Sequence, residues 1–347
     1  MPRNTTIDVV RGMAITLVCV FHVTRGLISK GEMENSPALE FADLWAYGFH
    51  VQIFFLLSGF FLYDRLINWR AFAPRAVNLY YPYLLWSVIS GLLVIAAPGG
   101  ANSDVDLRDL LLIPLVPIQH YWFLLSLIFA MALFVVVRGF AEIALITLII
   151  LSIVGRMVGL GGPVVQFFYG EAYTASFFLL GAILGRRDLS PRVSVPIFVV
   201  VAMVSVGSAA LSQATGISIR SVVFFASSLA SCWALYCVCV WMGDGRVAAF
   251  VARLGVLSMT IYLTHVIFQA GLRTVIYALW AEAPLALVIM AEIAISLAGP
   301  LLMYEGARRV GWDRLLGFSP IWRSATDGKL MAPREIGAAN APGACNA

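Results

Sequence analysis

The sequence predicts an all-α polytopic membrane protein with about ten membrane-spanning helices. Of its 347 residues, 61% are hydrophobic and only 12% are charged. A soluble domain is usually about 45–50% apolar and about 25% charged. Apolar runs of about 20 residues, the length that a helix needs to cross a bilayer, recur along the whole chain. The loops between these runs also differ in arginine content, as expected for a protein with a fixed orientation in a membrane.

Turn residues and charges separate the predicted spans, for example at NSP, GLGGP and RRDLSPR. The predicted spans are residues 7–28, 41–63, 77–97, 121–137, 141–158, 167–185, 193–212, 221–242, 256–277 and 284–304. We therefore expect one membrane domain over residues 1–324, with its spans between about residues 7 and 305. Residues 325–347 have the polar composition of a disordered tail.

The arginines predict the orientation, because cytoplasmic loops carry an excess of basic residues. One side of the predicted bundle collects Arg65, Arg70, Arg75, Arg138, Arg186, Arg187, Arg192, Arg246, Arg253 and the basic residues after 305. The other side has only Lys30, Arg108 and Arg220 in its loops, with Arg25 and Arg273 at helix ends. Both termini and the tail should therefore be cytoplasmic.

The first span carries three ionisable residues on one face. Arg11 and His22 are eleven residues apart, which in a helix is about three turns plus 20°, or about 16 Å along the axis. Asp8 shares this face and can form a local pair with Arg11. An ionisable side chain at membrane depth is costly and usually faces a cavity or a partner. His22 is therefore expected to line a polar cavity, whereas Asp8 and Arg11 either join it or anchor the helix end.

All four histidines, His22, His50, His120 and His265, lie in or at the membrane. Imidazole is the side chain best suited to proton transfer near neutral pH. Four such residues on one cavity would serve acid–base catalysis or proton-coupled transport equally well. The five cysteines form no CxxC pair and no zinc-like spacing, so neither a disulfide framework nor a metal site is expected.

Six segments in order resemble a known family. They are DVVRGMAITLVCVFH with its Arg and His eleven residues apart, QIFFLLSGFFL, the basic loop and helix start FAPRAVNLYYPYLL, QHYWFLLSLIFA, SFFLLGAILGRR and LGVLSMTIYLTHVIF. Together they resemble the acyltransferase-3 family of integral membrane O-acyltransferases, which includes bacterial O-antigen and exopolysaccharide acetylases. The resemblance covers about residues 7–305.

The resemblance implies transfer of an acyl group, most often acetyl, from cytoplasmic acyl-CoA to a hydroxyl of a surface polysaccharide, a lipid-linked sugar or a related acceptor. It implies His22 as general base, with a transient acyl-histidine as the less favoured variant. Arg11 would hold the CoA phosphates with Arg65, Arg70 and Arg75 of the basic loop. His265 would position the acceptor or stabilise the oxyanion. Alternatively, Asp8 and Arg11 would only orient the helix, with His22 alone catalytic. Acyl-CoA would be a substrate, with no permanently bound cofactor, and the protein would reside in a bacterial cytoplasmic membrane.

A proton-coupled secondary transporter or a lipid-linked glycan flippase is the alternative, since buried His, Arg and Glu would also suit a carrier. Such folds often contain two related halves with broken helices. The two halves of this sequence show no convincing similarity, which favours the enzyme. The expected partners are the lipid bilayer, acyl-CoA and a glycan or lipid-linked sugar acceptor. No nucleic-acid partner is expected, because the arginines form no folded basic domain.

Overall fold

The computed structural model describes residues 5–96, 105–157, 163–187, 193–215 and 222–322. These ranges contain thirteen α-helices and no β-strand, which confirms the all-α prediction. In chain order the helices are α1 Thr5–Ser29, α2 Pro37–Tyr47, α3 Gln52–Leu62, α4 Trp69–Ala96, α5 Leu107–Leu112, α6 Trp122–Val137, α7 Ala141–Met157, α8 Pro163–Arg186, α9 Val195–Thr215, α10 Val222–Met242, α11 Arg246–Val256, α12 Ser258–Leu279 and α13 Leu285–Arg309. The predicted tail, 325–347, lies outside the described residues.

Seven helical stretches in the described ranges are long and apolar enough to cross a membrane. An eighth is added if α11 and α12, which meet at a bend of 81°, form one span. The protein is therefore a multi-pass membrane protein, while the number of about ten spans and the cytoplasmic termini stay predictions. The predicted span 41–63 consists of two helices, because the chain breaks into a turn over residues 48–51 between α2 and α3.

Glycines allow α3 and α8 to pack backbone against backbone. A Cβ atom added to Gly59 would lie 1.9 Å from the carbonyl oxygen of Phe178. A Cβ atom added to Gly181 would lie 1.9 Å from the carbonyl oxygen of Leu56. Backbone atoms cannot move away as a flexible side chain can, so only glycine fits at these two positions. The SGF and LG elements of the sequence therefore serve helix packing.

A second close contact places α11 across the N-terminal half of α1. A Cβ atom on Gly12 would lie 1.9 Å from the carbonyl oxygen of Val251, and one on Gly255 would lie 1.8 Å from that of Asp8.

The two ends of the bundle are named after the first and last residues of α1. We call the side where α11 contacts α1 the Thr5 end and the opposite side the Ser29 end. The arginine distribution predicts that the Thr5 end is cytoplasmic.

The segment before α6 does not project from the bundle as an ordinary loop. The Tyr80 hydroxyl in α4 donates a hydrogen bond to the carbonyl oxygen of Pro114 (3.0 Å). Further along α4, the Ser90 hydroxyl donates to Oε1 of Gln119 (2.7 Å). Since ten helical residues span about 15 Å, the chain returns along α4 by that length between Pro114 and Gln119. This return brings the beginning of α6 into the interior of the bundle.

A buried ion pair joins α12 to α13. Arg273 donates from Nε and Nη2 to the two carboxylate oxygens of Glu292, at 2.8 and 2.6 Å. The side chains are 6% and 0% exposed. Such a pair repays the cost of removing two charges from water only when its geometry is good, and this pair has the two parallel bonds of the strongest arrangement.

We expect the Arg273→Met substitution to destabilise the protein by about 3–5 kcal/mol, because it leaves the Glu292 carboxylate buried without its partner. The double variant Arg273→Met/Glu292→Leu should recover most of that loss. Denaturation of the detergent-solubilised protein measures both effects. Arg309→Met, which breaks the exposed pair of Arg309 with Glu305, is the control and should change stability little. A double variant no more stable than Arg273→Met would contradict the interpretation.

Candidate functional site

Three of the four histidines form a triangle between α1, α12 and the residues before α6. The ring centroids of His22 and His265 are 5.0 Å apart, those of His120 and His265 are 5.0 Å apart, and those of His22 and His120 are 5.8 Å apart. His120 lies in a single 3-10 turn, Gln119–Tyr121, that leads directly into α6. The return of the chain along α4 is therefore what brings His120 to the other two rings.

Each histidine donates one ring N–H to a backbone carbonyl. The bonds run from Nδ1 of His22 to Val18 (2.8 Å), Nδ1 of His50 to Ala46 (2.5 Å), Nε2 of His120 to Tyr262 (3.0 Å), and Nδ1 of His265 to Ile261 and Tyr262 (2.9 Å each). A carbonyl oxygen only accepts, so the other nitrogen of each neutral ring carries the lone pair. The site is therefore rich in basic nitrogens. Within the described ranges, no group of three or more His, Cys, Asp or Glu side chains could hold a metal ion.

A cavity of about 660 Å³ lies beside the triangle, toward the Ser29 end. Its wall is mostly apolar, with Leu93 and Val94 from α4 and Val266 and Ile267 from α12. The polar side chains on the wall include those of His22, Arg25, Ser29, Tyr47, His50, Ser90, Gln119, His120, Tyr262 and Thr274. His265 stands behind this wall and is fully buried. The cavity thus combines an apolar interior with a few polar groups, as small-molecule sites commonly do.

The break between α2 and α3 brings His50 to this cavity. His50 lies in the turn over residues 48–51, so its direction is set by the turn and not by the helical periodicity of α2. The side chain is 2% exposed and still forms part of the cavity wall.

Arg25, which lies on the cavity wall, forms an ion pair with Asp43. Arg25 donates from Nε and Nη2 to the Asp43 carboxylate, at 2.7 and 2.9 Å. Its guanidinium carbon lies 4.6 Å from the ring centroid of Tyr47, a distance at which the cation and the aromatic face attract each other. All three side chains are half-buried. The guanidinium is therefore held in place from two sides.

The family model for an acyltransferase domain matches residues 4–305, nearly the whole chain. The chain belongs to the acyltransferase-3 family. This confirms the resemblance that the six sequence segments indicate, and it identifies a membrane acyltransferase. Comparison with curated proteins and with solved structures gave no match.

In this acyltransferase-3 protein, Asp8 and Arg11 do not line the cavity beside His22. The Arg11 guanidinium lies 5.7 Å from the ring centroid of Phe61, near the C-terminal end of α3. Asp8 is buried, and it lines a separate cavity of about 490 Å³ at the Thr5 end, together with Arg253 and Arg308. The structure therefore brings His265 to His22, whereas Asp8 and Arg11 lie nearer the start of α1, at the Thr5 end.

The predicted basic loop lies at the same end of this acyltransferase-3 bundle as Arg11. Arg65 follows α3 by three residues, Arg70 is in the first turn of α4, and Arg75 is one turn further. Nη1 of Arg75 donates to the carbonyl oxygen of Ala71 (2.6 Å). Phe61, whose ring contacts the Arg11 guanidinium, is in the last turn of α3. The basic loop follows α3 directly, so it begins close to Arg11.

Three side chains on or beside the cavity wall were not identified from the sequence: Arg25, Asp43 and Gln119. Arg25 was assigned to a helix end, although a charge three residues after His22 in an apolar segment was a usable signal. Its ion-pair partner, Asp43, is in the next predicted span. Periodicity within one helix cannot show that residues of two helices pair. Gln119, directly before His120, gave no sequence signal, because its position depends on the return of the chain along α4.

We expect the cavity to be reachable from solution at the Ser29 end, opposite to the C-terminal tail. Thr274 lines the cavity and is exposed, so the Thr274→Cys variant should react with a membrane-impermeant maleimide. Cys345 in the tail should react only from the other side. Labelling of right-side-out and inside-out vesicles distinguishes the two sides. The matched control is Thr264→Cys in the same helix, where the side chain is buried and should not react. Labelling of positions 274 and 345 from one side would contradict the predicted orientation.

Proposed function

We propose that this protein is an O-acyltransferase that moves an acyl group, most often acetyl, from acyl-CoA to a hydroxyl of a surface polysaccharide, a lipid-linked sugar or a related acceptor. In this proposal it acts in a bacterial cytoplasmic membrane, with acyl-CoA entering from the cytoplasm. The observation that carries the proposal is His22, whose ring lines a cavity and has Nδ1 committed to a backbone carbonyl. In an acyltransferase-3 protein, this leaves Nε2 as a base within reach of a bound acceptor.

The proposed reaction needs one base that returns its proton. Nε2 of His22 takes the proton of the acceptor hydroxyl while the hydroxyl oxygen attacks the thioester carbonyl carbon. The new C–O bond forms, the C–S bond then breaks, and the departing thiolate receives the proton from the His22 imidazolium. The protein thus ends in its starting state, and no oxidant or further reactant is required.

His265 supports His22 rather than the oxyanion in this proposal. Its Nδ1 faces two carbonyl oxygens and therefore carries the hydrogen, so its Nε2 can only accept. A developing oxyanion needs donors. Because His265 stands behind the cavity wall, its neutral ring is suited to positioning the His22 ring, whose centroid lies 5.0 Å away.

The Thr5 end supplies the groups for the acyl donor in this proposal. CoA carries several phosphates, and arginine binds phosphate through charge-assisted pairs of hydrogen bonds. Arg11 is about 16 Å from His22 along α1, which is a length that the pantetheine arm of CoA can bridge. The nucleotide of CoA would be held at the Thr5 end by Arg65, Arg70 and Arg75. Asp8, which lies beside α11, would fix the start of α1 rather than contact the donor.

The Ser29 end supplies the groups for the acceptor. Arg25 and Tyr47 lie on the cavity wall and Asp43 is paired with Arg25, so the group combines donors, acceptors and an aromatic ring. A sugar offers both hydroxyls and apolar C–H faces, so this set of side chains supports a glycan acceptor. The donor and the acceptor would therefore approach His22 from opposite ends of α1.

We expect His22→Ala to lower acyl transfer by about 10²–10⁴-fold, because the general base is lost. The assay follows label from radiolabelled acetyl-CoA into glycan or lipid in membrane vesicles that contain the protein. Thr24→Ala is the matched control, since Thr24 is on the same helix and bonds only locally, to the Phe21 carbonyl. Transfer by folded His22→Ala at the rate of the unsubstituted protein would exclude His22 as the base.

We expect Arg11→Ala to raise the acetyl-CoA concentration needed for half-maximal transfer by about tenfold or more, because one charged hydrogen-bonding partner of the donor is lost. Arg11→Lys should show a smaller rise, since lysine keeps the charge without the paired geometry. The same vesicle assay, run over a range of acetyl-CoA concentrations, measures the change. An unchanged half-saturating concentration would remove Arg11 from the donor site.

A further inference from the structure

The four histidines leave one chemical requirement of the proposed reaction unmet. Attack on a thioester places negative charge on the carbonyl oxygen, and that charge is best stabilised by hydrogen-bond donors already in position. Each neutral histidine ring has its N–H on a backbone carbonyl and offers a lone pair to its surroundings. Two other wall groups are also committed, since Tyr262 donates to the His120 carbonyl and Arg25 is bound to Asp43.

Gln119 is a wall residue with free donors beside the triangle. It directly precedes His120, whose ring centroid is 5.8 Å from that of His22. The buried Ser90 hydroxyl donates to Oε1 of Gln119 at 2.7 Å. This bond orients the carboxamide by its oxygen and leaves the NH₂ group for a ligand in the cavity.

The backbone of Gln119 is strained. Its φ angle is +49°, and among the residues that the structure describes no other non-glycine residue has a positive φ. Glutamine rarely adopts this left-handed conformation, in which glycine is comfortable. Such strain is commonly found where a side chain must be held in place for function.

We propose that the Gln119 carboxamide donates an N–H hydrogen bond to the acyl carbonyl oxygen as it becomes an oxyanion, with Ser90 as the positioning residue. When the acceptor oxygen attacks, the C=O π pair moves to the carbonyl oxygen and the N–H stabilises it. When the C–S bond breaks, the pair returns to re-form the carbonyl, and Gln119 is unchanged. This inference rests on the proposed acyl transfer and adds the group that stabilises its transition state.

The decisive variant is Gln119→Gly, because it removes the carboxamide and relieves the backbone strain together. We expect it to melt near the temperature of the unsubstituted protein, because relief of the positive φ offsets the greater freedom of glycine in the unfolded chain. Its maximal transfer rate should fall by about 10²–10³-fold, as is typical when an oxyanion donor is removed. The half-saturating acetyl-CoA concentration should change little, because the lost bond acts mainly in the transition state.

Two further variants separate the chemistry from the shape of the wall. Gln119→Glu keeps the size of the side chain but presents oxygens only, so it should be at least as slow as Gln119→Gly. Ser90→Ala should reduce the rate less, and Ser90→Thr, which keeps the hydroxyl, should restore it.

Three outcomes decide the inference. A stable Gln119→Gly protein with the maximal rate of the unsubstituted protein overturns the inference and leaves the proposed function intact. A slow but stable Gln119→Gly protein, with Gln119→Glu at least as slow, supports it. If the unsubstituted protein transfers no label from acetyl-CoA to membrane glycan or lipid, the proposed function fails and the inference fails with it.

Discussion

The site depends on a set of reciprocal hydrogen bonds between the turn before α6 and the middle of α12. The Tyr121 hydroxyl donates to the Leu263 carbonyl at 2.9 Å, the Tyr262 hydroxyl donates to the His120 carbonyl, and Nε2 of His120 donates to the Tyr262 carbonyl at 3.0 Å. The side chains that form these bonds are buried, so breaking any of the bonds leaves a buried polar group without its partner. The bonds therefore fix the positions of His120 and, through the chain, of Gln119 and His265.

The same bonds explain why a chain so rich in apolar helices can hold a polar site. Apolar surfaces give little preference for one helix rotation over another inside a bilayer, where lipid is as apolar as leucine. Close glycine contacts such as Gly59 with Phe178 set how near two backbones come, and directional hydrogen bonds select the rotation. Helix packing thus supplies the scaffold, and the tyrosine hydroxyls specify which faces meet.

The fold class, the family and the position of His22 on a cavity wall were predictable from the sequence, because each rests on a local pattern: apolar runs, six ordered segments and an Arg–His spacing. The neighbours of Arg11 were not. Periodicity places Arg11 and His22 on one face of α1, but different neighbours cover that face at each height, Phe61 at one end and His265 at the other. The break that carries His50 and the pairing of Arg25 with Asp43 depend on contacts between separate helices, which no pattern within one helix contains.

The buried face of α12 shows how these constraints combine. His265, Gln269 and Arg273 are spaced by four residues, so they form a polar stripe along one face, and each is at most 5% exposed. A shift of α12 by one residue would rotate that stripe by about 100°. The rotation would separate Arg273 from Glu292, leave a charge in an apolar environment, and remove His265 from the triangle. The ion pair lies about two helical turns from His265 and takes no part in the proposed reaction. Because it makes other rotations of α12 costly, the same ion pair stabilises α12 and holds His265 in the triangle.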